Sequence, residues 1–259
     1  MYTAYFGFDS KPFRSKDPKG FYRNINLDAA CADILDGIRE RRGFMLLTGE
    51  AGVGKTSLFH RCVAEAGDIR FILLNGADFD SSGADFDFPD ILDHLCTNLK
   101  LQFTGLDTER QSRLLLEAVA ARVRRHQAVA LWIDDAHRLP VDVLPCLQAF
   151  VETPAIPFLR LQVVLAGLPE LASELDRPKW RGLGNCIRVR CRLERLSELE
   201  TGLFIGHQLR VAGYAGGELF SPAAIERICT YCQGVPRAIA ILCDTILLFA
   251  SLQSERVIT

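Results

Sequence analysis

The alternation of apolar and polar positions divides the 259-residue chain into two unlike parts. In the first part, short apolar runs recur between stretches with a helical apolar period. Phe44–Thr48, Arg70–Leu74, Val129–Ile133 and Leu161–Ala166 predict strands, and a last short strand is expected within Cys186–Leu193. Helices are expected over Asn26–Arg41, Ser57–Ala66, Pro89–Leu99, Thr108–Arg125 and Val141–Val151, with a short one from Pro169. Near-continuous apolar strands that alternate with helices require a parallel sheet covered on both faces. After Leu193 the pattern changes. Ser197 and Glu200 form a capping box, Ser221 and Pro222 read as an N-cap and first helical residue, and Pro236 opens a third helix. The apolar stripe of that third helix is Ile239, Leu242, Cys243, Ile246, Leu247 and Ala250. Three helices without strands predict a small all-helical domain. The expected division is residues 1–194, including an irregular segment Met1–Phe21, and residues 195–259.

Composition narrows the class. Hydrophobic residues are 49% and charged residues 24%, the balance of a globular chain. The net charge of −2 disfavours a dominant nucleic-acid or anionic-membrane surface. No apolar run approaches the ~20 residues that span a bilayer. Met1–Phe13 lacks a basic region followed by an apolar one, so no signal peptide is read there and a cytoplasmic chain is expected. Nine cysteines show no framework spacing. Cys229 and Cys232, with Cys186 and Cys191, offer a zinc reading, but Ile225, Ile228, Cys229 and Cys232 fall on one helix face and read as core. The near-duplicated stretch from Gly76 to Asp90 reads as an exposed acidic loop whose spacing does not fit an EF-hand.

The chemistry concentrates after the first strand. Gly49-Glu50-Ala51-Gly52-Val53-Gly54-Lys55-Thr56 matches G-x-x-x-x-G-K-[ST] between an apolar strand and a helix. The glycines let backbone N–H groups curl around phosphate oxygens, and the helix adds its positive N-terminal end. Lys55 is expected on the β- and γ-phosphates of ATP and the Thr56 hydroxyl on magnesium, with Ser57 completing the binding set. Ala130-Leu131-Trp132-Ile133-Asp134-Asp135 supplies an acid at the end of another strand. Asp134 is expected to hold Mg2+ through water, and Asp135 to act as the base that orients the attacking water. His137 is either a phosphate or partner contact or a plain loop residue. Arg188, Arg190 and Arg192 read as a charge-guarded sheet edge, with a phosphate-backbone contact as the other reading.

Several stretches resemble the ExeA/GspA-type AAA+ ATPases of bacterial secretion and pilus systems. They are Tyr5-Phe6-Gly7-Phe8 with Lys11-Pro12-Phe13, Leu47 through Thr56, Val164 through Leu171, and Gly234-Val235-Pro236-Arg237 with Leu242-Cys243-Asp244. The resemblance implies an α/β fold with a P-loop NTPase (AAA+) core on a parallel sheet, followed by a small all-helical lid. It implies a homo-oligomeric ATPase that exchanges ATP for ADP and works with an envelope secretion or pilus protein. In a longer native protein it implies attachment to the inner membrane. It also assigns Arg237 as the lid arginine at the γ-phosphate and Arg181 as an arginine acting between subunits. Three positions depart from the family. Asp135 stands where glutamate is common, Leu168 replaces a polar residue after Gly167, and Gly184 and Cys186 stand where arginines are expected. Since an arginine finger contributes about 10³ or more in rate, slow turnover is expected. Two other readings remain open: a DNA-transposition or DNA-loading ATPase, and a nucleotide-dependent switch with little turnover.

Overall fold

Each of the five strand predictions becomes a strand of one sheet: β1 (Phe44–Gly49), β2 (Ile69–Leu74), β3 (Ala128–Ile133), β4 (Gln162–Gly167) and β5 (Ile187–Leu193). The helices are α1 (Tyr2–Phe6), α2 (Ile25–Arg39), α3 (Lys55–Glu65), α4 (Phe88–Asn98), α5 (Thr108–Val123), α6 (Val143–Val151), α7 (Pro169–Leu175), α8 (Arg181–Cys186), α9 (Glu198–Val211), α10 (Pro222–Cys232) and α11 (Pro236–Leu252). The structure, a computed structural model, describes residues 2–13, 20–76, 86–101, 107–123, 128–153 and 161–259. Most of the expected acidic loop, residues 77–85, lies outside the described residues. At its end, Asp87 caps α4 reciprocally with Asp90. By its contacts the chain forms two units, one of residues 29–49 and 58–192, the other of residues 1–28, 50–57 and 193–259.

The first unit holds the sheet, in the order β2-β3-β4-β1-β5. The pairs β2–β3, β3–β4 and β4–β1 are parallel. Every residue of β1 and of β4 is buried, which explains why these strands carry no polar alternation. β5 lies at the edge and does alternate. Ile187, Cys191 and Leu193 are buried, while Arg188, Arg190 and Arg192 are exposed. Arg190 is held by Asp176 at 3.0 Å. Gly37 of α2 is a point of close approach, because a Cβ there would come within 2.9 Å of Met45 and of Val189. Cys31 of α2 and Cys62 of α3 meet in the interior with their sulfurs 3.5 Å apart. Leu131, Val163 and Leu165 join α4, α5 and α6 in the main core through Ile91, Leu95, Leu115 and Leu147, all without exposure. Burying one such side chain contributes about 1.5–3 kcal/mol.

The second unit is built on α9, α10 and α11. Ser197 Oγ accepts the Glu200 N–H at 3.2 Å while a Glu200 oxygen accepts the Ser197 N–H at 2.9 Å, the reciprocal cap expected from the sequence. Ser221 caps α10 through the Ala224 N–H at 3.2 Å. Phe204, Ile205, Ile228, Cys232, Ile239, Cys243 and Leu247 form the core of this unit. The segment expected to be irregular and grouped with the sheet begins with α1, and it buries Tyr2, Phe6 and Phe8 among these helices. The reason is aromatic packing. Phe8 meets Tyr214 with ring centres 5.4 Å apart, and the Asp9 N–H donates to Ala212 O at 2.8 Å. Among the described residues, no helix is long and apolar enough to cross a membrane.

The turn between α10 and α11 depends on one glycine. Gly234 has φ +70°, and a Cβ there would lie 2.0 Å from Leu196 O. Both the left-handed backbone and the backbone contact exclude a side chain. Gly234→Ala is expected to destabilise this unit by about 2–3 kcal/mol, read as a lower melting temperature for the secondary-structure signal.

Candidate nucleotide site

β1 ends at Gly49, the chain turns through residues 50–54, and α3 begins at Lys55. Gly52 and Gly54 take φ of +84° and +114°, conformations that side chains disfavour. Val53 is buried at 3% exposure, and its N–H donates to Glu50 O at 3.4 Å. The turn is therefore anchored by an apolar residue and shaped by two left-handed glycines, the kind of backbone from which anion cradles are built. Lys55 is buried at 7% exposure and its Nζ donates to Glu50 O at 3.0 Å. Thr56 and Ser57, in the first turn of α3, are exposed.

Asp134 follows the last residue of β3. The register Thr48↔Gly167 and Ile133↔Leu165 sets the carboxyl ends of β1 and β3 on the same edge of the sheet, with only β4 between them. Open α/β sheets bind ligands at that edge. Asp134 is 7% exposed; its N–H donates to Leu74 O at 2.8 Å, and its Oδ1 accepts the Asp135 N–H at 3.1 Å. The Asp134 carboxylate and the Thr56 hydroxyl are hard oxygen donors, the class that suits Mg2+. Asp135 takes φ +53° and is half-buried. Its Cβ lies against Gly76, where an added Cβ would come within 2.5 Å. Past Ala136, the exposed His137 lies beside Gly167 at the end of β4.

Arg237, at the start of α11, sits against the phosphate loop. The Arg237 N–H donates to Gly52 O at 3.2 Å, and a Cβ on Gly52 would come within 2.9 Å of the Arg237 Cβ. Arg195 is a residue that sequence reasoning missed. It grips the Glu50 carboxylate through Nε at 2.9 Å and through Nη2, and its Nη1 donates to Gln233 Oε1 at 2.9 Å. The Glu50 carboxylate holds the Arg195 guanidinium above its ordinary pKa. This cluster joins three separate segments, so no local pattern signals it.

Arg181 stands exposed at the first position of α8. The same helix explains the two departures beside it. A Cβ on Gly184 would lie 2.9 Å from Leu175 O, a backbone atom, so an arginine does not fit there. The Cys186 thiol donates to Glu152 at 2.9 Å and to Gly182 O at 3.1 Å. Burial, then Glu152, pushes that thiol up to about 11. Leu168 supplies no polar group, and the chain turns at once into α7.

A family model described as AAA domain matches residues 38–175. General secretion pathway protein A of Aeromonas hydrophila is 30% identical over 96% of this chain, which spans 45% of that relative. Cdc6p of Pyrobaculum aerophilum shares the fold at a TM-score of 0.71 and 19% identity, over 95% of this chain and 67% of that one. The Aeropyrum pernix ORC2 protein does so at 0.69 and 15%, over 97% and 69%. The RuvB Holliday junction branch migration motor of Thermotoga maritima does so at 0.63 and 19%, over 96% and 70%. The match spans the strand, glycine turn and helix that begin the site and the acidic end of β3 that faces the same edge, and the chain belongs to the AAA domain family.

Proposed function

We propose that this chain binds ATP with Mg2+ and hydrolyses it, and that turnover drives a conformational change. The observation that carries this reading is the shared edge: Gly49 and Asp134 leave the sheet one strand apart, at its carboxyl side. Residues 49–57 would hold the phosphates, with Lys55 neutralising the β- and γ-phosphates. Thr56 and Asp134 would hold the Mg2+, which supplies charge neutralisation across those phosphates. Asp135 would orient the attacking water and take its proton. Arg237, fixed beside Gly52, would meet the γ-phosphate, and we take residues 195–259 as the lid that carries it.

Similarity to General secretion pathway protein A supports a role at a bacterial secretion or pilus machine, on the cytoplasmic side and with an envelope protein as partner. We further propose a homo-oligomer in which Arg181 reaches a neighbour's nucleotide. A second reading, a switch with little turnover, is favoured by one observation: packing against Leu175 O keeps an arginine out of position 184.

Lys55→Ala is expected to abolish most affinity for a fluorescent ATP analogue, because the phosphates lose their buried cation; undiminished binding would overturn the site. Asp135→Asn should keep nucleotide binding and lower turnover by about 10²-fold or more, whereas Asp134→Asn should weaken binding only when Mg2+ is present. The specific ATPase rate should fall on dilution, and Arg181→Ala should lower it with little change in affinity. A fast rate that ignores both dilution and Arg181→Ala would place every catalytic group within one chain.

A further inference from the structure

Between β1 and β3 runs β4, so its carboxyl end lies between Gly49, the last residue of β1, and Asp134, which follows β3. Its own residues there are Gly167, Leu168 and Pro169, none with a polar side chain. The end of β4 nevertheless has a polar group, brought by another segment. His137 Nδ1 lies 3.4 Å, and the His137 backbone nitrogen 3.5 Å, from the point where a Cβ on Gly167 would be. Gly167 does not take a positive φ, so its backbone does not demand glycine. A Cβ there would press on Leu171 Cδ2 at 2.8 Å, while the imidazole lies beside the same spot at ordinary contact distance.

The turn that carries His137 is firmly held. The Arg138 N–H donates to Asp135 O at 2.9 Å, the Leu139 N–H to Ala136 O at 3.3 Å, and Ala136 is buried in the core. Its two neighbouring side chains lean to opposite sides. Asp135 has its Cβ over Gly76, just past the end of β2, while His137 lies over the end of β4. In the strand order, β4 is the neighbour on the β1 side. The imidazole is exposed and makes no hydrogen bond among the described residues, so its N–H is available to a ligand.

We propose that His137 is a catalytic residue of the ATPase reaction, donating a hydrogen bond to a γ-phosphoryl oxygen from the carboxyl end of β4, the place that Leu168 leaves apolar. This rests on the ATPase reading given above. During hydrolysis a bond forms between the water oxygen and the γ-phosphorus, and the bond from that phosphorus to the β–γ bridging oxygen breaks, leaving ADP. The proton of the water passes to the Asp135 carboxylate and then to the released phosphate. His137 keeps its own proton. Its hydrogen bond strengthens as charge shifts onto the phosphoryl oxygens, so its effect falls on the transition state rather than on ATP binding.

The test uses His137→Ala and His137→Asn in the full chain, with three readouts: kcat, affinity for a fluorescent ATP analogue, and affinity for ADP with aluminium fluoride, a mimic of the transferring phosphoryl group. His137→Ala should lower kcat about a hundredfold, with ATP affinity within about twofold of the original. Its affinity for ADP with aluminium fluoride should fall in parallel with kcat, and His137→Asn, which keeps an N–H donor, should recover part of both losses. If His137→Ala leaves kcat and the aluminium fluoride complex unchanged while Lys55→Ala abolishes nucleotide binding, the role of His137 is refuted and the ATPase reading survives. An equal loss of ATP affinity and kcat also refutes it, since His137 would then serve ground-state binding or structure. If Lys55→Ala binds ATP as the original does, both readings fall together.

Discussion

Pairing of β4 with β1 on one side and β3 on the other is the constraint on which the rest of the site depends. The register Thr48↔Gly167 and Ile133↔Leu165 brings two chemically different strand ends to one edge. A slip by one residue would turn every side chain of a strand to the opposite face. These strands are apolar on both faces, so burial alone would tolerate such a slip. The polar and glycine residues at the carboxyl edge distinguish the registers. Gly49 opens the phosphate loop, Gly76 accommodates Asp135, and Gly167 accommodates Leu171, with His137 beside it. A side chain at Gly76 would collide with Asp135 in the turn after β3, and one at Gly167 with Leu171. The edge is thus low where that turn must lie.

The phosphate loop has its own support. Gly52 touches the start of α11, and Arg195 joins Glu50 to Gln233 at the end of α10. Arg195 and Glu50 remain substantially exposed at 40% and 44%, and pairs of this kind contribute little to stability. Their importance is geometric: one guanidinium ties the loop at Glu50 to the end of α10 at Gln233. Gly234 makes that turn narrow enough, and Leu196 closes it through a hydrogen bond of 2.8 Å to Gly234 O.

The departures from the family pattern acquire physical causes. At position 184 the α8 backbone passes too close to Leu175 O for any side chain. At position 186 a thiol is engaged with Glu152 and Gly182, and its raised pKa keeps it neutral near pH 7. Neither position can present a cation. Arg181, one turn earlier and exposed, keeps that capacity. The apolar Leu168 belongs to the same group of departures, and His137 lies beside the preceding Gly167.

The strands, most helices and the phosphate loop were legible in the sequence because each is a local pattern. Apolar runs specify buried strands, Ser197 with Glu200 specifies a helix start, and a glycine turn between strand and helix specifies an anion cradle. The place of Asp134 just past a strand was legible because the apolar run that predicts β3 stops at Ile133. Arg195 was not legible, nor was the packing of Tyr2, Phe6 and Phe8 among α9, α10 and α11. Their partners are remote in sequence: Glu50 is 145 residues from Arg195. The meaning of Gly76, Gly167 and Gly184 was equally hidden. In one dimension a glycine with ordinary backbone angles looks like any loop residue. Only the folded chain shows which atoms occupy the space that its missing side chain leaves.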